Sequence, residues 1–259
     1  METIHVYIGT EPKTEIPRKV LEYSIIETTR SPVEFHPMIG DNWSKVSSRT
    51  PGTGFSLLRW SIPERANYIG KAIYLDADQL VLDDIEDLWN SPTLFPAETE
   101  SCSIWCTFQK SKDYPEKPYK PNTSVMLIDC EKAKKEWPSL EELKTYLKDD
   151  VKRKKYAPVM HGLHILTKPT EIPYYWNHLN KCKTGITRLI HYTTEHKQPW
   201  YDPTHPCTRT WRDVLVRAIK AGYVTVPEIR GAVAKYRKHT VKERGQGFHP
   251  FWEKVAMGG

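Results

Sequence analysis

The sequence predicts an α/β protein with a mostly parallel central sheet flanked by helices and a C-terminal helical appendage. Three observations predict it. The chain opens with a strand–helix–strand succession, a short apolar strand then runs into an acidic loop, and a helical pattern closes the chain. With 259 residues, 39% of them hydrophobic and 27% charged, the chain is long enough to bury a sizeable core.

Ile4 to Ile8 alternates and is rich in β-formers, and Gly9-Thr10-Glu11-Pro12 is expected to stop it. Pro17 to Thr28 places Val20, Leu21, Ser24 and Ile25 on one helical face, and Val33 to Met38 reads as a second strand, so that a right-handed βαβ unit is expected. Thr53 to Asn67 reads as helix broken by Pro63. Lys71 to Leu75 is a short apolar strand, Val81 and Leu82 extend the apolar character, and Ile85, Leu88 and Trp89 suggest a short helix. Ser103–Phe108 and Ser124–Ile128 read as strands, Glu131–Trp137 and Leu140–Lys155 as charged helices, Thr187–Tyr192 as a late strand, and Trp211–Ala221 as a helix ended by Gly222. No internal repeat or low-complexity linker divides the chain. The expected organisation is a core over 1–205 and a basic helical appendage over 206–259 packed on it.

Composition excludes several classes. No apolar run approaches the ~20 residues of a membrane span, and the N-terminus carries acid and enters a strand, unlike a signal peptide. The five cysteines include no CxxC pair and no zinc set, and are expected to be buried free thiols of a reducing cytoplasm. The net charge of +6 is concentrated late: Arg209 to Arg244 holds ten Lys/Arg against three Asp/Glu. This stretch reads as a solvated helical surface, or as one that meets an anionic membrane face, a phosphorylated acceptor or nucleic acid. No recognised nucleic-acid module is visible, so no nucleic-acid partner is expected.

The chemistry concentrates at Leu75-Asp76-Ala77-Asp78. Two carboxylates one residue apart, at the C-terminal edge of a strand, can converge on one cation, and that edge is where open α/β sheets bind ligands. Hard oxygen donors favour Mg²⁺ or Mn²⁺, and an ion so held can neutralise a diphosphate. Leu80-Val81 anchors the loop from its far side.

Tyr74 to Leu82 resembles the Asp-x-Asp segment of glycosyltransferase family 8, the family of glycogenin and the lipooligosaccharide galactosyltransferases. The resemblance implies a GT-A fold, a UDP-sugar donor, Mn²⁺ (or Mg²⁺), and transfer of a hexose with retention to a glycan, lipid-linked or protein acceptor. It implies that Asp76 and Asp78 ligate the metal, with Asp76 near the donor ribose and Ala77 between them at the nucleotide. Val6-Tyr7-Ile8-Gly9-Thr10 resembles the family's first strand and nucleotide loop, which places Val6, Ile8 and Thr10 at the base. Phe55 to Pro63 resembles the family's Arg-containing helix, so that Arg59 meets the diphosphate. Pro121 to Ile128 resembles the Asn-x-Gly-Val strand, with Asn122 toward the sugar and Ser124 in place of Gly. Leu189-Ile190-His191-Tyr192 followed by Lys197-Gln198-Pro199-Trp200 resembles the late His and Lys-Pro-Trp. That assigns His191 as third metal ligand and leaves the diphosphate role to Lys197 or Gln198, because Gln198 interrupts the motif. The family's Asp-Gln pair has no counterpart. Met160-His161-Gly162-Leu163-His164 occupies its region, and Trp176-Asn177-His178-Leu179 reads as a sugar-pocket cluster or a packed loop. Two alternatives stay open: a nucleotide-sugar-binding domain without transfer, and a haloacid-dehalogenase-type phosphohydrolase, whose first motif Asp76 to Val81 also resembles. The expected location is cytoplasmic, or peripheral to the inner face of a membrane.

Overall fold

The computed structural model describes residues 2–39, 55, 58–96, 102–109, 120–139, 141–142, 145, 169–194 and 197–243, with side chains as far as 234. The Leu140–Lys155 helix and the Met160–His164 segment lie outside these residues, apart from 141, 142 and 145. The chain forms two compact units. One comprises Met1–Glu11, Ser31–Asp76 and Ile85–Trp176; the other comprises Pro12–Arg30, Ala77–Asp84 and Asn177–Gly259.

The first unit is built on a six-stranded sheet. Its strands are β1 (Ile4–Thr10), β2 (Val33–Ile39), β3 (Lys71–Asp76), β5 (Ile104–Gln109), β6 (Lys120–Asp129) and β7 (Thr170–Glu171), in the order β2-β1-β3-β6-β5-β7. The pairs β1/β2, β1/β3 and β5/β7 are parallel, while β6 is antiparallel to both of its neighbours. Strand β3 is central. Ala72 to Leu75 are fully buried, as a strand covered on both faces requires, which is why it reads as an unbroken apolar run. Strand β2 lies at the edge, where Pro37 can lack an N–H without breaking the interior ladder. Helices α2 (Ile62–Arg65), α3 (Glu86–Trp89), α4 (Ser91–Leu94) and α5 (Cys130–Glu136) belong to this unit. Asp129 caps α5 by accepting from the Lys132 N–H at 3.0 Å. The core joins Phe55, Leu58, Trp60, Tyr74, Ile104, Met126 and Ile128.

The second unit holds a three-stranded sheet ordered β4-β9-β8, from β4 (Gln79–Val81), β8 (His178–Leu179) and β9 (Leu189–His191). Its helices are α1 (Glu15–Thr28), α6 (Thr208–Lys220) and α7 (Val226–Glu243). The chain therefore passes from one sheet to the other through the two-residue turn between β3 and β4. The core joins Ile16 and Val20 of α1, Leu80 of β4, Ile190 of β9, Trp200, and Trp211, Val214 and Leu215 of α6. After α6, Gly222 adopts φ 73°. Its N–H donates to the Ile219 carbonyl and that of Tyr223 to the Ala218 carbonyl, each at 2.9 Å, which makes a Schellman stop. Thr225 and Glu228 then exchange side-chain-to-backbone hydrogen bonds as a capping box that starts α7.

Three expectations are corrected. Pro63 does not break a helix. It stands in the first turn of α2, where its missing N–H is spare, after a 3-10 turn over Leu58–Ser61. Gly9 and Thr10 do not end β1, which keeps pairing with β2 through Thr10↔Ile39. Four cysteines are buried but Cys182 is exposed. Burial, reinforced by Asp129 and Glu131, pushes the Cys130 thiol up to about 12, and burial pushes that of Cys207 up to about 11, so both stay protonated and inert. Among the described residues no helix is long and apolar enough to cross a membrane.

Gly9 is required by packing. A Cβ there would meet the Tyr74 hydroxyl at 2.3 Å and Phe55 Cδ2 at 2.5 Å. Gly9→Ala is expected to destabilise the chain by about 1–3 kcal/mol, the usual cost of overpacking, read as a lower denaturant midpoint at constant slope.

Candidate functional site

The end of β3 delivers Asp76, and the turn that follows delivers Asp78. Strand β9 delivers His191 opposite Gln79 in the β4/β9 ladder, and the Asp78 carbonyl accepts from the Tyr192 N–H at 2.9 Å. Backbone pairing thus fixes where the imidazole meets the loop. Within the second unit Asp78 and His191 turn their ligand atoms toward each other, and Asp76 precedes Asp78 by two residues at the end of β3.

Each of the three is oriented by further groups. Asp76 Oδ1 accepts from the Tyr74 hydroxyl at 2.5 Å and from Arg59 Nη2 at 3.3 Å. Arg59 is itself buried. Its Nη1 donates to the Thr123 carbonyl at 2.6 Å, and its guanidinium lies 4.6 Å from the Tyr74 ring centre. Asp78 Oδ2 accepts from Gln198 Nε2 at 3.0 Å, and the same amide nitrogen donates to the Tyr192 carbonyl at 2.9 Å. Asp78 Oδ1 faces His191 Nε2 at 3.4 Å. His191 Nδ1 lies 3.0 Å from Asn177 Oδ1. An amide oxygen can only accept, so Nδ1 carries a proton and Nε2 is the nitrogen turned toward Asp78, the orientation a metal-ligating imidazole needs.

The remaining predicted residues are placed as follows. Val6 and Ile8 are fully buried and in register with both neighbouring strands, and Thr10 is buried at the end of β1. Ala77 is buried within the turn. Asn122 Nδ2 donates to Gln109 at 2.8 Å, and its Oδ1 accepts from the Ser124 N–H at 3.1 Å and the Ser124 hydroxyl at 2.6 Å. The serine in the glycine's place therefore clamps the Asn122 amide. Lys197 is exposed, whereas Gln198 is buried against Asp78, so the residue that interrupts the Lys-Pro-Trp motif is the one that contacts the acidic loop.

Two contributors are not assigned by sequence reasoning in these roles. Asn177 orients His191 from fourteen residues away, and Tyr74 bonds Asp76. The polar–aromatic cluster is packed, since Trp176, Asn177 and His178 are all buried. Burial, helped by Lys183 and Lys181, lowers the His178 pKa, and its Nδ1 lies 2.7 Å from Thr187 Oγ1. Asn177→Ala would leave His191 free to change tautomer. A divalent ion ligated by His191 would bind roughly 10–100-fold more weakly, as for other losses of a ligand-orienting partner, measured by calorimetric titration with Mn²⁺.

No protein-family model matches the chain. Protein CDI of Arabidopsis thaliana is 24% identical over 230 residues, covering 78% of this chain and 81% of that one. The galactosyltransferase LgtC, solved in complex with donor and acceptor sugar analogues, superposes with a TM-score of 0.63 at 14% identity, over 88% of this chain and 100% of that one. The apo form of the glycosyltransferase GlyE of Streptococcus pneumoniae superposes with a TM-score of 0.57 at 14% identity, over 83% of this chain and 60% of that one. The chain has the α/β fold of the GT-A glycosyltransferases.

Proposed function

We propose that this chain is a metal-dependent glycosyltransferase that moves a hexose from a nucleotide-sugar, a UDP-sugar, to a glycan, lipid-linked or protein acceptor with retention of configuration. The observation that carries the reading is the Asp78–His191 pair in the turn directly after the strand end that bears Asp76. Two carboxylates and one imidazole form an oxygen-rich donor set that suits Mn²⁺ or Mg²⁺. When bound, the ion supplies positive charge to the donor's diphosphate.

The chain's own residues do the rest. Arg59 and Tyr74 hold Asp76, Gln198 holds Asp78, and Asn177 holds His191, so the ligands need little reorganisation. Lys197, exposed on the loop after β9, is the cation we assign to the leaving diphosphate. Thr10, at the end of β1, takes the nucleotide, with Val6 and Ile8 forming the buried strand behind it. Asn122 faces the sugar with its amide already fixed by Ser124 and Gln109.

The test is incubation with Mn²⁺ and a panel of UDP-, GDP- and ADP-sugars, with nucleotide release as the readout and the anomeric proton of the product read by NMR. Turnover of a UDP-sugar that chelator abolishes is expected. Binding of a donor without release would favour a non-catalytic nucleotide-sugar domain, and the absence of both binding and release would end the proposal.

A further inference from the structure

Strands β1 and β2 bring together a second cluster, away from the acidic loop. They run parallel with His5 opposite Glu34 and Tyr7 opposite His36. Alternate residues of a strand share a face, so His5 stands with Tyr7, and Glu34 with His36. The side-chain contacts put all four on the same face of the sheet. His5 Nδ1 lies 3.2 Å from His36 Nε2 and 3.6 Å from Glu34 Oε2, and His36 Nε2 lies 3.8 Å from Glu34 Oε1. The His36 ring stacks on Tyr7 with centres 4.4 Å apart and planes inclined by 19°, which fixes its plane.

We propose that His5, Glu34 and His36 bind a zinc-type divalent cation at this sheet edge. A tetrahedral ion with donors at 2.0–2.1 Å separates its ligand atoms by about 3.3 Å; the two imidazole nitrogens lie 3.2 Å apart, and each has one oxygen of the Glu34 carboxylate nearby, Oε2 at 3.6 Å from His5 and Oε1 at 3.8 Å from His36. The donors fill three corners and leave the fourth to water. Two imidazoles and one carboxylate are softer than the Asp76, Asp78 and His191 set, so this site selects Zn²⁺ where the acidic loop suits Mn²⁺. The bound ion would pin the edge strand β2 to β1 and stabilise the native chain alone.

The experiment is calorimetric titration of the full chain carrying Asp78→Ala with Zn²⁺, repeated with His5→Gln and His36→Gln added together and with Glu34→Gln added alone. The parent is expected to bind one equivalent and to gain melting temperature from it. The double histidine variant is expected to lose both, and Glu34→Gln to bind more weakly, with unchanged circular dichroism in each case. Co²⁺ substitution in the parent should give the intense visible bands of four-coordination. Zn²⁺ binding of equal stoichiometry and affinity in the double variant would overturn the proposal, as would weak six-coordinate Co²⁺ bands in the parent. If the double variant loses its circular dichroism, Glu34→Gln alone decides: unaltered Zn²⁺ affinity there overturns the site.

Discussion

Asp78→Ala is expected to lower donor turnover roughly a thousandfold while leaving the melting temperature nearly unchanged. The size follows from the role proposed for the loop. Metal-borne charge on a leaving diphosphate is worth several kcal/mol in the transition state, and each 1.36 kcal/mol is about tenfold in rate. The small stability effect follows from position. The Asp78 side chain is 23% exposed in a turn, and Gln198 Nε2 keeps the Tyr192 carbonyl as a second acceptor when the carboxylate is gone. Steady-state kcat on the best donor of the panel, measured beside a thermal melt, separates the two quantities. A variant that turns over like wild type would remove Asp78 from the metal site.

Arg59→Ala is expected to act in the opposite sense, on stability first. Its side chain is 10% exposed and that of Asp76 13% exposed. Removing the guanidinium takes a charged partner from Asp76 and a donor from the Thr123 carbonyl at once. Breaking a buried pair costs about 3–5 kcal/mol. For a chain of this length that corresponds to a fall of roughly 6–20 °C in melting temperature. Arg59→Lys should recover only part of this, because one ammonium cannot reproduce a planar fork that serves Asp76 and Thr123 together while lying over the Tyr74 ring. If Arg59 served only the donor, KM would rise and the melt would not move.

The features legible in the sequence were local ones. The apolar run of β3 announced a central strand because Ala72 to Leu75 are buried without interruption, and Asp76 and Asp78 sit at its end within two residues of each other. The resemblance to family 8 supplied Arg59, whose contact with Asp76 spans seventeen residues. What escaped the sequence is held by distance or by brevity. Gln198 reaches Asp78 across 120 residues, and nothing in the local pattern distinguishes it from Lys197 beside it. Asn177 meets His191 through the pairing of β8 and β9, strands of two and three residues that are too short to show a period. The antiparallel placement of β6 was hidden for a different reason. Its stretch Val125 to Ile128 is apolar on both faces, and such a run is as compatible with one strand direction as with the other.

The two-residue turn between β3 and β4 makes chain length at this point stricter than residue identity. Strand-connecting turns ordinarily accept insertions and deletions. Here, directly beyond the turn, Gln79, Leu80 and Val81 are locked in register with His191, Ile190 and Leu189. A single added residue would have to be absorbed by a bulge or would rotate β4 by one position, which carries fully buried Leu80 out of its core and sets a different side chain opposite the histidine. Substitution at the acidic pair removes one ligand, but a shift in spacing dismantles a strand as well. The Asp-x-Asp interval is therefore a length set by topology, and drift in this protein can rewrite the letters around it more readily than it can change their number.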